Sequence, residues 1–254
     1  MKERLSGIQS LDRGLQALDL VAQYELRPSK LAAALDVSRP TALRLLQTLV
    51  NCGYVLQDPQ TKAFRANPAK LFALANMVRS SSTWLTEADD LIADLARLTG
   101  ETANLAVLQG TEMVYVAAAQ SNEALAVRQL LGWRRPLHCS AIGKAILAYM
   151  DRDQRAALLA RAGLARHTSH TITSLEVLES QLEQIRQNGW ALDEEETVEG
   201  VRCVAAPVLG VQAIPRAAIG ISAPVARLTD EKLPFISEQV KQTSRRLAQR
   251  LWDM

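Results

Sequence analysis

No stretch of the 254-residue chain approaches the roughly 18 uninterrupted apolar residues of a membrane-spanning helix. The opening Met1-Lys-Glu-Arg-Leu5 lacks the apolar core of a secretion leader. The three cysteines, Cys52, Cys139 and Cys203, are odd in number and nowhere spaced Cys-x-x-Cys, which speaks against a disulfide framework or a zinc ribbon. Internal repeats and low-complexity tracts are absent as well. These absences lead to the expectation of a soluble cytoplasmic protein with no membrane partner.

What is present suffices for folding: 48% of the residues are apolar, and the length suits one large domain or two smaller ones. The net charge of +2 is unevenly spread. Residues 1–70 hold ten Lys/Arg against six Asp/Glu, a net of +4, which leaves 19 basic and 21 acidic residues, a net of −2, for the remainder. A basic head on a slightly acidic body fits a polyanionic partner for the head alone.

Residues 37–50 are the stretch around which that head is organised. Ser38 is a good N-cap, and Pro40 falls in the first turn, where a missing N–H costs no hydrogen bond. Ala42, Leu45, Leu46, Leu49 and Val50 recur at helical spacing. Arg39, Thr41, Arg44, Gln47 and Thr48 occupy the other face and suit phosphates and major-groove base edges. Upstream, Ser10 is expected to open a helix with Leu11, Leu15, Leu18 and Ala22 on one face. Pro28-Ser29 introduces a short second helix, Lys30 to Leu35, and Asp36-Val37-Ser38 is the tight connection of a helix-turn-helix. Residues 54–57 and 62–65 flank the turn-forming Asp58-Pro-Gln-Thr61, hence a hairpin. Three helices and a basic hairpin make a winged helix-turn-helix, with Lys62 and Arg65 on the wing against backbone phosphates. Asn67-Pro68 starts a helix that is apolar nearly all round; it is expected to bury more than one face, as an interdomain connector and part of a subunit interface. The boundary is expected within 79–83.

The body alternates between periods. Helices are expected over 84–98, closed by Gly100, and over 141–150, 152–161, 174–188 and 230–252. Strands are expected over 104–109, 112–117, 124–129, 203–208 and 217–222. Helices over mostly antiparallel strands make this part α+β. Ser140 precedes a helix whose first N–H groups belong to Ala141, Ile142 and Gly143, near Arg135 and His138. Such a helix start is an anion site.

Several strings, in this order, resemble the IclR family of bacterial transcriptional regulators: Ser10-Leu-Asp-Arg-Gly-Leu15, Val37-Ser-Arg-Pro-Thr-Ala-Leu-Arg-Leu-Leu46, Gly100-Glu-Thr-Ala-Asn-Leu105, Pro136-Leu-His-Cys-Ser-Ala-Ile-Gly-Lys-Ala145, Thr171-Ile-Thr173, Asp193-Glu-Glu-Glu196 and Glu199-Gly-Val-Arg-Cys-Val-Ala-Ala-Pro207. The resemblance covers essentially the whole chain. It implies a winged helix-turn-helix over 1–67, a linker helix over 68–82, and a GAF-like effector-binding and oligomerisation domain over 83–254. It also implies a homodimer or tetramer on a palindromic duplex operator, regulation (most often repression) through a small acid, and neither catalysis, metal nor cofactor. Asp193, Cys203 and Ser222 lie in segments that match the family's pocket, with Val201 and Gly220 beside them. Two departures bear on the ligand. Arg135 stands where relatives often carry an apolar residue; an arginine mostly points to solvent, but turned inward it favours an acidic effector. Gly220 replaces a frequent Ser and removes one hydrogen bond.

Three competing readings remain on residues alone. Cys139 or Cys203 with His138 and Asp193 would make a nucleophilic triad, although the adjacent His138 and Cys139 are expected to point apart. His138, Cys139, Cys203 and Asp193 would offer a metal N, S and O ligands, but without close spacing. A DNA-binding scaffold with an inert body is the third.

Overall fold

The computed structural model describes residues 8–252, and the chain divides into two compact units, up to Ser81 and from Ser82 onward. Among the described residues, no helix is long and apolar enough to cross a membrane.

The first unit packs α1 (Gln9–Gln23), α2 (Pro28–Leu35) and α3 (Arg39–Asn51) around Ala17, Val21, Leu31, Ala42, Leu46 and Phe64. In α1 the inward face is set by Ala17 and Val21. Leu11, Leu15 and Ala22, expected to point inward, are exposed, and Ile8 rather than Ser10 precedes the helix, with no side-chain cap. Pro28 occupies the first turn of α2, which ends on Asp36 in the left-handed region (φ 51°), a conformation that short polar side chains tolerate. That reversal delivers Ser38 as the N-cap of α3, where its Oγ accepts from the Thr41 N–H. The hairpin comprises β1 (Val55–Gln57) and β2 (Phe64–Ala66), paired antiparallel with Leu56 opposite Arg65. Lys62 sits in the turn (φ 58°) and not in the second strand, because the Asp58 carboxylate accepts from the Gln60 and Thr61 N–H groups and prolongs the turn. Leu26 and Phe64 exchange backbone hydrogen bonds and give the hairpin a third edge. In α4 (Pro68–Ser81), Phe72 is 68% exposed and no residue is buried, so the expected burial of two faces is not met within one chain. Only Ser82 breaks the helical path before α5 (Thr83–Thr99).

The second unit is a six-stranded antiparallel sheet in the order β5-β4-β3-β8-β7-β6. Its strands are β3 (Thr102–Gln109), β4 (Glu112–Ala119), β5 (Arg134–Pro136), β6 (Ala191–Glu194), β7 (Val201–Leu209) and β8 (Pro215–Pro224). Both faces are covered. Helices α5 and α9 (Leu233–Trp252) pack on one through Leu91, Leu95, Ile219, Ile221 and Val240. On the other lie α6 (Ala141–Tyr149), α7 (Arg152–Ala162) and α8 (Leu175–Asn188), packed through Ala145, Ile146, Leu178 and Ala205. A one-residue bulge at Val116, where Leu105 faces Ala117 and Ala106 faces Tyr115, lets Ala117 join the first layer and Tyr115 the second. The expected strand at 124–129 is an irregular loop. The strand beside β4 is instead β5, and β6 escaped the periodicity because it has only four residues.

Helix α6 is buried all round. A Cβ on Gly143 would lie 2.4 Å from the Leu137 carbonyl oxygen, so this glycine serves close approach of helix and turn. Lys144 is 0% exposed, and its Nζ reaches Glu196 and Gln181. Such a pair costs desolvation of both ions; deleting either side chain strands its partner, whereas a protonated Glu196 still offers the Lys144 Nζ an acceptor oxygen. Burial pushes Glu196 up from 4.5 to about 7 against the opposing pull of Lys144, and pushes Asp193 up as well.

Two consequences are measurable. Gly143→Ala should destabilise the fold by about 1–3 kcal/mol through overpacking, read as a lowered thermal midpoint; an unchanged midpoint would mean that α6 moves freely from Leu137. The folded chain holds the Glu196 proton more tightly than the unfolded chain does. Its stabilising contribution is therefore complete below pH 4.5 and lost as pH rises through about 7. The wild-type melting temperature should fall across that window more steeply than that of Glu196→Gln, and parallel curves would refute the assignment.

Candidate functional site

In the first unit, Ser38, Arg39, Pro40 and Arg44 are exposed along the start of α3, and Lys62 and Arg65 are exposed on the hairpin. Among the described residues, Arg39, Arg44 and Lys62 make no ion pair, so their charge is available to a partner. Thr41 differs from the expectation. It is half-buried, and its hydroxyl lies 2.8 Å from Ser38 Oγ, which commits it to the cap. The Thr48 hydroxyl likewise turns back to the Arg44 carbonyl.

The second unit contains a cavity of about 200 Å³ between α6 and the sheet. Strand register builds its floor. Ser222 faces Thr102 on one side and Cys203 on the other, and Cys203 faces Asp193, so residues distant in sequence form one row across β3, β8, β7 and β6. In the next row Gly220 stands between Asn104 and Ala205. Arg135 pairs with Met113, which is buried on the α6 side, and the guanidinium turns into the cavity rather than to solvent. Of the ten residues expected to contact a ligand, Arg135, Ser140, Ala141, Ile142, Asp193, Val201, Cys203, Gly220 and Ser222 line this cavity. Gly143 does not. Its N–H is spent on Ser140 Oγ, and the residue packs on Leu137.

The sequence reading missed Asn104, Tyr115, Gln129, Trp133 and Thr197, which complete the walls. Polar side chains at inward positions of β3 and of the 124–129 loop were the only available signal. Gln129 Nε2 donates to Ser222 Oγ (3.1 Å), as does the Cys203 thiol (3.3 Å). Arg135 donates to Gln129 Oε1 (3.2 Å) and the Arg134 carbonyl (3.1 Å), and its guanidinium lies 5.6 Å and 5.3 Å from the Tyr115 and Trp133 ring centres. Asn104 Oδ1 is buried and has no partner among the described residues, an unmet acceptor facing the cavity. A side chain at Gly220 would approach it to 3.2 Å and crowd Ile142, so Gly220 widens the floor. Asp193 is held by the Glu196 and Thr197 N–H groups and the Thr197 hydroxyl. Helix α6 begins here with the Ala141 and Ile142 N–H groups, which its own ladder leaves unpaired.

The geometry bears on the competing chemistries. His138 and Cys139 do not point apart. One donor atom from each, with one from His167, lies within 4.8 Å of the others, because residues 137–140 form a turn. They are not poised for nucleophilic attack. Burial pushes the Cys139 thiol up to about 12, raises Cys203 further, and lowers His138. Asp193 and Cys203 line the cavity, whereas His138 and Cys139 do not, so the four-residue metal set is divided.

Residues 10–59 match the IclR helix-turn-helix domain, and residues 78–249 match the C-terminal domain of bacterial transcriptional regulator IclR. Over 247 residues the chain is 35% identical to the HTH-type transcriptional regulator BhcR of Paracoccus denitrificans (strain Pd 1222), covering 97% of this chain and 88% of that protein. The crystal structure of Thermotoga maritima IclR matches with a TM-score of 0.73 at 27% identity, covering 96% of this chain and 99% of that one. The inducer-binding domain of PobR from Acinetobacter, solved as a double mutant with 3-hydroxybenzoic acid, matches with a TM-score of 0.59 at 27% identity, covering 64% of this chain and 96% of that one. With both units matched, the chain belongs to the IclR family of bacterial transcriptional regulators, which bind DNA and small-molecule effectors and are not named as enzymes.

Proposed function

We propose that the chain is a cytoplasmic repressor whose grip on a palindromic operator is set by a small carboxylic acid. Residues 1–67 read DNA, 68–82 link, and 83–254 bind the effector and oligomerise. The observation that carries the effector class is the Arg135 guanidinium turned into the cavity, together with the unpaired N–H groups at the start of α6. Both favour an anionic group. The Asn104 carbonyl oxygen supplies an acceptor for a hydroxyl or N–H elsewhere on the same ligand. The aromatic hydroxy acid bound by the PobR inducer-binding domain has both features.

On DNA, Arg39 and Arg44 enter the major groove, and Lys62 and Arg65 hold phosphates. A symmetric dimer presents two such faces to the two half-sites. The exposed apolar side chains of α4 and the exposed Leu11 and Leu15 of α1 suit burial against a second copy, in a dimer or tetramer. Occupancy of the operator by itself excludes other proteins from the same duplex. An effector bound unequally by two arrangements of the assembly shifts their populations.

Arg44→Ala should weaken operator binding by about 1–3 kcal/mol in gel-shift titrations if it meets a base, and uniformly across sequences if it meets phosphate. Unaltered binding on every duplex removes Arg44 from the interface. In a thermal-shift screen of the full chain against aromatic, aliphatic and sugar acids, a true effector raises the midpoint with concentration. Arg135→Gln should weaken that effector by about 1.5–3 kcal/mol. A panel of acids that moves neither the midpoint nor the DNA affinity favours the inert-body reading.

A further inference from the structure

We propose a second ligand site, outside the effector cavity: a zinc-class metal site formed by His138, Cys139 and His167. Two imidazoles and a thiol bring donor atoms within 4.8 Å of one another, and two nitrogens with one sulfur are a donor set that favours Zn²⁺ over the hard, oxygen-seeking cations. Their convergence follows from two loops. The turn 137–140 aims His138 and Cys139 the same way, and the segment following α7 brings His167 against them, with the imidazole rings of His138 and His167 6.0 Å apart.

Outer contacts preset the His138 ring and the His167 backbone. His138 Nε2 lies 3.0 Å from the Ala165 carbonyl oxygen, which can only accept; the ring is therefore protonated at Nε2 and keeps its Nδ1 lone pair. A metal-bound histidine is normally oriented this way, with its second nitrogen donating to a carbonyl or carboxylate. The backbone of His167 is pinned as well, its N–H donating to Thr171 Oγ1, while Thr171 and Thr168 hydroxyls donate to the Glu196 and Glu195 carbonyls. His138 and Cys139 are buried and His167 is exposed, so the metal enters from the His167 side and keeps one position for water. On binding, the Cys139 S–H proton leaves to solvent and a sulfur–metal bond replaces it. Cys139 immediately precedes Ser140, the cap of α6, so an occupied site stiffens the turn that carries Ala141 and Ile142 into the cavity wall.

The test uses metal-free full-length protein carrying Cys52→Ser, which removes the exposed thiol, and titration with Co²⁺ as a visible stand-in for zinc, then displacement by Zn²⁺. One equivalent of Co²⁺ per chain should produce a thiolate-to-cobalt charge-transfer band. Cys139→Ser should abolish that band, and His167→Ala, a surface change that keeps the fold, should weaken binding about 10-fold or more. Absence of any sulfur-dependent band overturns the proposal. So does undiminished affinity in His167→Ala, or a band that survives Cys139→Ser and disappears in Cys203→Ser, which would locate the metal in the effector cavity.

Discussion

The antiparallel register of β3, β8, β7 and β6 is the constraint on which the receptor half depends. Side chains alternate between sheet faces with a period of two, so a slip of one residue in a single strand would turn its row to the opposite layer. Asp193, Cys203 and Ser222 meet only because each strand holds its pairing, and Asn104 meets Gly220 for the same reason. Register is enforced from both sides. Leu91, Leu95, Ile219 and Ile221 fill the layer under α5, while Ala145, Leu178 and Ala205 fill the layer under α6, so either face resists a slip. The bulge at Val116 breaks the alternation within β4 and turns Tyr115 into the cavity wall.

Helix α6 joins that sheet to chemistry. Its buried apolar surface presses it to the floor, Gly143 permits contact with the turn before it, and the Lys144–Glu196 pair ties its middle to the β6–β7 connection. A ligand at its first turn would therefore act on an element rigidly coupled to two strands. The His138–Cys139 turn stands directly before the same helix, so the proposed metal and the proposed effector both address the N-terminal end of one mechanical part.

The DNA-reading half obeys a simpler rule. A capped helix with Ala42 and Leu46 inward leaves Arg44 on the opposite face, whereas Arg39 shares their stripe and is exposed at the first position of the helix. Thr41 shows where this rule ends: a hydroxyl within reach of the cap Ser38 bonds locally and ceases to be a free reader.

Local rules made much of the architecture legible from the sequence: the cap at Ser38, the apolar period of α3 and the turn at Asp58 each rest on contacts within a few residues. Nine of the ten residues picked for the ligand site line one cavity, but several were chosen by resemblance to a family and not by periodicity. Tertiary structure alone decided that 124–129 is a wall loop while the three-residue β5 pairs with β4, because short or irregular segments carry no period to read. It alone decided that Arg135 turns inward, a matter of which face its partner Met113 occupies, and that His138, Cys139 and His167 converge, since 28 positions of chain separate residues that only packing brings together.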